Sequence, residues 1–239
     1  PGGISNTEAK VIVEKLMSHH DALRLRFEKS RDGKWSQYNA GLSQVDFIIE
    51  ESTIPHDMAL NVTAIAKFFE DQGSRLKMKL GFVNAPLLGV GLYHNAETKE
   101  SHFLMSVHHL VIDLVSWRIL FEDIETLLTQ FRNGSELKLP DKTDSYKFWM
   151  ERSANYAGTY ALEQQRSYWE YQQGTITDSL PIKKPLGKNT IGNSSIIDFT
   201  LDKDQTTKLK TSINSVNKVE INALLLAALS RAIKDVFKI

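Results

Sequence analysis

The sequence predicts an α/β (α+β) lobe, in which helices pack beside a sheet of short strands. The apolar run at residues 103–107 has strand character and leads into an amphipathic helical pattern at residues 115–131. Leu23, Leu25 and Phe27 alternate with arginines, which is the period of a strand with one buried face. A capping-box pattern followed by a helical stripe opens the chain. Helical and strand periods therefore occur together in one chain, which is typical of this class.

The remaining elements follow from local patterns of the same kind. Leu88, Val90 and Leu92 alternate with Gly89 and Gly91, and paired glycines in a strand allow another backbone or a ligand to come close. In chain order, the first predicted elements are a helix from the Ser5 cap to residue 20, strands at 21–27, 35–38 and 45–50, and a helix at 58–70 that Gly73 ends. An extended segment at 76–80, a strand at 87–93, a central strand at 101–108 and helices at 115–131, 144–156 and 162–173 follow. The last predicted elements are a strand at 195–201 and helices at 204–214 and 221–237.

Composition narrows the classes of function. The chain has 239 residues, 29 basic and 29 acidic side chains, and no cysteine. A formal net charge of zero argues against broad electrostatic binding to nucleic acid or to an anionic membrane. The lack of cysteine excludes disulfides, a thiolate nucleophile and cysteine-based zinc sites, and no metal site is expected. The sequence has no apolar run of membrane-spanning length and no signal peptide, so a cytoplasmic location is expected.

The composition changes after residue 174, which indicates a domain boundary. Residues 175–195 are rich in proline, glycine and polar residues without periodicity, as a linker or crossover is. We therefore predict an N-terminal lobe at 1–174 and the beginning of a second lobe at 196–239. The final helical pattern, at residues 221–237, is apolar nearly all round, which predicts that this helix is buried on several sides. The chain begins at Pro1 without a methionine and ends within this apolar pattern, so we expect it to be part of a larger protein. Because the apolar face of residues 221–237 would be left uncovered, we also expect the chain by itself to self-associate.

The candidate site lies where the apolar run at 103–107 meets the following helix. His108 and His109 are adjacent there, and Asp113 follows four residues after the second histidine. Neutral imidazole is well suited to moving protons near pH 7. The alternative is a satisfied, partly buried histidine pair with a structural role. A second pair, His19 and His20, cannot easily share one ion, because helical neighbours point about 100° apart; we expect it to be structural.

Other conspicuous side chains are interpreted as packing residues. Trp117 lies in the first turn of an amphipathic helix, where a large aromatic side chain is a packing anchor more often than a surface for stacking a cofactor. His94 and His102 flank a polar hairpin loop and are predicted to face solvent. The aromatic residues of the helices after residue 143 are predicted to be core: Tyr146, Phe148, Trp149, Tyr156, Tyr168 and Trp169.

The motif resembles that of a known superfamily. His108-His109-x-x-x-Asp113, followed by Ser116-Trp117 and the sequence Arg-Ile-Leu, resembles the core motif of the condensation-domain superfamily of nonribosomal peptide synthetases. The continuation is more similar to the epimerization branch than to the branch that forms peptide bonds. Residues 18–27 and 221–229 also resemble this superfamily, so the likeness covers essentially the whole chain. It implies a chloramphenicol-acetyltransferase-like two-layer sandwich lobe with a mixed or antiparallel sheet, flanking helices and a partial second lobe.

The resemblance also implies an activity. An epimerization domain removes the Cα proton of an aminoacyl or peptidyl thioester and returns it on either face. The thioester is carried on the phosphopantetheine of a peptidyl carrier protein, and no intrinsic cofactor is used. Neighbouring synthetase domains would be partners. The alternatives are a condensation domain that forms peptide bonds, which needs two carrier-bound substrates, and a catalytically silent domain that only docks carrier protein.

The resemblance assigns roles residue by residue. His109 and His108 match the catalytic pair, with His109 as the acid/base and His108 mainly positional. Asp113 matches an aspartate that forms a structural salt bridge, although a carboxylate at this spacing could instead set the histidine tautomer. Leu114 replaces the usual glycine, which permits close approach and positive φ. The family places a glutamate in the second lobe as a second acid/base, so we expect this chain alone to be inactive.

Overall fold

The computed structural model describes residues 3–42, 46–83, 85–174, 187–188, 190–213 and 220–238. The contacts divide the chain into two compact units, Pro1–Ala157 and Gly158–Ile239, and each is described by itself. The predicted crossover at 175–195 lies mostly outside the described residues. The domain boundaries given above therefore stay a prediction.

The first unit combines a mixed three-stranded sheet, a two-stranded hairpin and four α-helices among its described residues. Strand β3 pairs parallel with β4, and β4 pairs antiparallel with β5, in the order β3-β4-β5. Strands β1 and β2 form the antiparallel hairpin. The elements are α1 (Asn6–His19), β1 (Leu25–Lys29), β2 (Trp35–Asn39), β3 (Ile48–Thr53), α2 (Val62–Lys79), β4 (Leu88–His94), β5 (Ser101–Val107), α3 (Leu114–Arg132) and α4 (Tyr146–Ala157).

The core lies on both faces of β4. Leu88, Val90 and Leu92 are buried on one face and belong to one apolar cluster with residues of α1 and α3. The opposite face carries the two glycines, and α2 packs there: a Cβ at Gly89 would lie only 2.8 Å from Leu76 Cδ1. The predicted close approach is therefore made by a helix at Gly89, whereas the Tyr93 ring lies against Gly91. Strand β4, and not β5 as predicted, is the central strand, because β5 pairs only with β4 among the described strands.

Two local predictions in this unit are wrong. Helix α2 continues through Gly73 and through the segment predicted to be extended. A helical glycine costs about 1 kcal/mol, and the complete burial of Leu76 against the sheet offsets that cost. The segment Asp21–Arg24 is a 3₁₀-helix instead of the start of a strand. Here the buried Arg24 guanidinium donates hydrogen bonds to the carbonyl oxygens of Met17 and Ser18 and to the Asp21 carboxylate, which keeps the chain curled at the end of α1.

The second unit contains short helices and one long one. They are α5 (Tyr160–Glu163), α6 (Arg166–Gly174), α7 (Lys203–Lys208), which continues as a π-turn at Leu209–Ile213, and α8 (Ile221–Phe237). The strand predicted at 195–201 is not formed, and Ile197 is 91% exposed there. A strand needs a neighbour for its backbone hydrogen bonds, and the described part of this unit contains no other strand.

The expected burial of the later helices is not found. The aromatic residues predicted to be core are exposed in α4 and α6, and no described residue of α4, α6 or α8 is buried. Their apolar faces follow the predicted helical period, but a periodic face is buried only where another element covers it. No helix of the described residues has both the length and the apolar character that crossing a bilayer requires.

Candidate active site

The end of β5 carries the histidine motif. Strand pairing with β4 ends at Val107, and the His108 N–H donates a last hydrogen bond to Leu87 O at 2.8 Å. The chain then turns, since the Val111 N–H donates to His108 O at 3.0 Å. His109 and Leu110 are the central residues of this turn. Helix α3 begins directly afterwards, so the motif is held between the edge of a sheet and the start of a helix.

His108 is half-buried and fixed by its surroundings. Its imidazole lies edge-to-face against Phe82, with ring centroids 5.5 Å apart. Its Nδ1 accepts a hydrogen bond from the Leu110 N–H at 3.2 Å. An imidazole nitrogen can accept only when it carries no proton, so Nδ1 is the acceptor nitrogen of the ring in this contact. These contacts suit the positional role that the sequence predicts for His108.

His109 lies in a different environment from its neighbour. Its side chain is exposed, and within the part of the chain that the structure describes neither ring nitrogen has a hydrogen-bond partner. An imidazole with both nitrogens open can accept or donate a proton without first breaking a protein contact. The structure thus separates the two histidines of the motif into a held one and an accessible one.

Asp113 is the N-cap of α3. Its Oδ1 accepts hydrogen bonds from the Ser116 N–H at 2.8 Å and from the Ser116 hydroxyl at 2.6 Å. These bonds, chiefly the one from the hydroxyl, lower the pKa of the Asp113 carboxyl. The carboxylate is exposed, and among the described residues it forms no ion pair and bonds neither histidine. Within the described residues Asp113 thus acts as a helix cap, and the salt bridge that the resemblance implies stays a prediction.

The other two motif residues support the same helix turn. Ser116 supplies both hydrogen bonds to the cap. Trp117 is half-buried, packs against the main apolar cluster and stacks on Phe121 with ring centroids 5.8 Å apart. This is the packing position that the sequence predicts for Trp117. Leu114, which stands where the family usually has glycine, is 87% exposed as the first residue of α3.

A buried pair beneath the motif is a feature that the sequence did not predict. His20 Nε2 lies 2.7 Å from Asp123 Oδ2, and Asp123 is buried. His20 also borders a cavity of about 90 Å³ that Val111, Ile112 and Ser116 of the motif line. The pair therefore joins the end of α1 to α3 next to the motif loop. The available signal was that Asp123 falls on the apolar stripe of α3, three residues after Leu120 and four before Leu127.

The histidines at the other end of the sheet are not solvent-side residues, contrary to the prediction. His94 is half-buried, and its ring nitrogens lie 2.7 Å from Ser101 Oγ and 2.8 Å from Glu51 Oε1. His102 is half-buried against the ring of Phe69, with ring centroids 4.9 Å apart. The alternation of a strand places one face outward, but side chains of β3 and β5 contact His94, and helix α2 covers His102.

Comparison with known proteins adds an independent finding. The family model for the condensation domain matches residues 3–238. The chain is 32% identical over 223 residues to tyrocidine synthase 2 of Brevibacillus parabrevis, which covers 93% of this chain and 6% of that protein. It is 32% identical over 240 residues to gramicidin S synthase 1 of Brevibacillus brevis, covering 98% of this chain and 21% of that protein. The chain thus spans only a small part of these relatives.

Solved structures give the same fold. The epimerization domain from the third module of tyrocidine synthetase B superposes with a TM-score of 0.83 at 29% identity, covering 100% of this chain and 51% of that chain. The starter condensation domain of rhizomide synthetase superposes with a TM-score of 0.57 at 15% identity, covering 74% of this chain and 41% of that chain. The first likeness extends over the whole chain and confirms the predicted fold class, a chloramphenicol-acetyltransferase-like α/β lobe with a mixed sheet.

Proposed function

Because this chain belongs to the condensation-domain family, we propose that it carries the motif-bearing lobe of an epimerization domain of a nonribosomal peptide synthetase. The substrate is an aminoacyl or peptidyl thioester on the phosphopantetheine of a peptidyl carrier protein. The reaction inverts the Cα configuration from L to D by removing and returning one proton. Carrier protein and neighbouring synthetase domains are the proposed partners, and no cofactor of the protein's own takes part.

Two observations support epimerization over the other branch. The epimerization domain of tyrocidine synthetase B matches the chain over its full length with a TM-score of 0.83, whereas the rhizomide starter condensation domain matches 74% of it with 0.57. The motif continuation Ser116-Trp117 also resembles the epimerization branch.

The site chemistry is compatible with proton transfer. His109 is the accessible imidazole of the motif. In the proposed step its unprotonated nitrogen takes the Cα proton, and the electrons of the C–H bond move into the thioester to give an enolate-like oxyanion. The same proton, or one from a second acid, then returns to the opposite face of Cα. The family resemblance expects that second acid to be a glutamate of the second lobe.

A condensation reaction is the second candidate, since the matching family model is that of the condensation domain. It would join two carrier-bound substrates through a new amide bond. In that case His109 would assist attack of an amine on a thioester carbonyl, and no Cα–H bond would break. The two reactions therefore differ in the number of substrates and in the bond that changes.

The third candidate is a catalytically silent docking domain, and the reason to consider it is that Leu114 stands where the family usually has glycine. The usual glycine would matter if the backbone needed positive φ at this position. Among the described non-glycine residues, positive φ occurs at Lys99 and Lys238, so Leu114 does not have it. As an exposed first residue of α3, it fits a helical backbone without strain. Leu114 therefore causes no backbone strain in this lobe that would favour a silent domain.

The deciding experiment uses the full-length protein with its carrier protein loaded with an L-aminoacyl thioester in D₂O. Deuterium at Cα together with D-aminoacyl product, without chain extension, is the expected result. A new amide bond after adding a second loaded carrier would favour condensation. Binding of the carrier with neither deuterium uptake nor a new bond would favour docking and reject both reactions.

A further inference from the structure

Phe82 is a side chain outside the motif that contacts one of its histidines. It lies in the short loop between α2 and β4, which is closed by a 3.1 Å hydrogen bond from the Gly81 N–H to Pro86 O. The next carbonyl along the chain, Leu87 O, accepts the hydrogen bond from the His108 N–H. The loop that carries Phe82 is thus attached to the backbone of the motif at its base.

The β1–β2 hairpin holds Phe82 from the other side. The Phe82 ring lies edge-to-face with Phe27 of β1, at a centroid distance of 6.1 Å, and tilted against Trp35 of β2 at 5.3 Å. On its remaining side it contacts the imidazole of His108 at 5.5 Å. Phe82 therefore lies between the hairpin and the motif, and edge-to-face ring packing of this kind favours a defined orientation.

The orientation of His108 matters for the turn that carries His109. His108 Nδ1 accepts the Leu110 N–H, and His108 O accepts the Val111 N–H, so one residue closes the turn twice. Rotation of the His108 ring away from its place would remove the first of these bonds. His109 is in the middle of this turn, and within the described residues its exposed ring has no hydrogen bond of its own that would keep it in place.

We propose that Phe82 is a positioning residue for the histidine motif, acting through the ring of His108 on the placement of His109. This inference rests on the proposed function, because it concerns the residue assigned there to proton transfer. A general base must reach its proton at hydrogen-bond distance, so a small displacement of His109 lowers the rate of the chemical step. Binding of the carrier protein should change little, because Phe82 is half-buried between the hairpin and the motif.

The structure offers a matched control, Phe69 of helix α2, at the other end of β5. Phe69 contacts the imidazole of His102 at 4.9 Å, near the start of β5, as Phe82 contacts His108 at its end. Both phenylalanines are half-buried. Phe82→Leu and Phe69→Leu therefore each remove one ring that touches a histidine, but at opposite ends of the sheet. A loss common to both variants would report stability alone and would overturn the positioning role.

The first measurement does not depend on catalysis. Hydrogen exchange of the Leu110 amide is followed by NMR in the full-length protein and in both variants. Phe82→Leu should accelerate this exchange about tenfold or more, since the amide loses its acceptor, which is a local opening. Phe69→Leu should leave it unchanged. Equal Leu110 exchange in Phe82→Leu and wild type would overturn the proposal.

The second measurement is the rate of Cα deuterium uptake by the loaded carrier. Phe82→Leu should lower kcat by about 10–100-fold with KM nearly unchanged, because misplacement of a catalytic group affects the chemical step. Phe69→Leu should retain kcat. A wild-type protein without any uptake would contradict the proposed function, yet the Leu110 exchange result would still decide the positioning role. Should Phe82→Leu not fold, Phe82→Met keeps the volume without the ring and answers the same question.

Discussion

The two ends of the β4–β5 pair each carry two histidines, and they differ in how these are bonded. At the end where β5 begins, both ring nitrogens of His94 lie at hydrogen-bond distance from side chains of neighbouring strands, Ser101 and Glu51. At the end where β5 finishes, His108 is held by one ring contact and one hydrogen bond, and His109 is exposed. The same residue type is thus structural at one end and accessible for chemistry at the other.

The end of the sheet where β5 begins also forms hydrogen bonds with the N-terminal segment and helix α1. The Asn6 amide donates to Glu51 at 2.9 Å, and Arg132 at the end of α3 donates to Glu8 at 2.7 Å and to Gly3 O at 2.9 Å. The Gly3 backbone covers Ser101 so closely that a Cβ there would lie 1.9 Å from Oγ. A histidine therefore becomes a candidate base because its ring is exposed with its nitrogens left open, as in His109, and not because it stands at a strand end. Substitutions at each end can test this contrast.

The largest effect is expected for His109→Ala in the full-length protein. Loss of a general acid/base typically lowers the rate by about 10²–10⁴-fold, so Cα deuterium uptake should fall by that factor. The melting temperature and carrier binding should stay near wild type, because His109 is exposed and makes no hydrogen bond within the described residues.

His94→Ala is the matched control at the other end. It should lower the free energy of unfolding by about 1–3 kcal/mol, because Ser101 and Glu51 lose their partner, while uptake stays within a few-fold of wild type. If instead His94→Ala abolished uptake and His109→Ala did not, the assignment of the two ends would be reversed.

Asp123→Ala should have the next largest effect, on stability. It leaves His20 without its partner beneath the motif and opens space beside the cavity lined by Val111 and Ile112. Removing one member of a mostly buried hydrogen-bonded pair costs about 1–3 kcal/mol, which urea unfolding can measure. Glu122→Ala, at the neighbouring exposed position, is the control and should be nearly neutral. Equal urea-unfolding midpoints for Asp123→Ala and Glu122→Ala would mean that the His20–Asp123 pair contributes nothing to the stability of the fold.

Glu8→Gln should lower the stability of the protein in a pH-dependent way, by removing the ion pair with Arg132 near the start of β5. The hydrogen bond from Arg132 is the main reason that the pKa of Glu8 falls from 4.5 to about 2 in the folded protein. A carboxyl group whose pKa is lower in the folded than in the unfolded protein stabilises the folded state fully at pH values above its unfolded pKa. For Glu8 this contribution is lost as the pH falls from 4.5 towards 2.

The free energy of unfolding of the wild type should therefore exceed that of Glu8→Gln by about 1 kcal/mol at pH 6. The difference is small because the ion pair is partly exposed. The gap should narrow as the pH falls from 4.5 to 2, as measured by urea unfolding at several pH values. A gap that is constant over this range would contradict the role of the Glu8 charge.

The smallest effect is expected for Asp113→Ala. As an exposed N-cap, its loss should lower the melting temperature by roughly 2–4 °C, far less than the loss of a buried ion pair would. The effect should diminish at low pH, because the pKa of Asp113 is lower when folded and its contribution disappears as the carboxylate becomes protonated. Asp113→Asn keeps a capping oxygen and should restore most of the stability. A collapse of the fold in Asp113→Ala would instead support the buried salt bridge that the family resemblance implies.

Features that depend on nearby residues could be predicted from the amino-acid sequence. The capping box of Ser5 and Glu8 starts α1 as predicted, and the alternation around Val90 forms a strand at the predicted place. The histidine motif lies between a strand and a helix, also as predicted. Each of these signals is contained in a few consecutive residues, because capping and side-chain periodicity are local properties of the backbone.

Which side chains meet was settled by the packing of distant elements. His20 and Asp123 are 103 residues apart in the chain, and nothing local to either predicts the other. Gly73 remains helical because α2 packs on the sheet, and the glycines of β4 make room for that helix. Phe82 touches His108 because a hairpin and a loop close around it. Such contacts depend on how the elements assemble, and the free energy of that packing outweighs the local preferences of single residues.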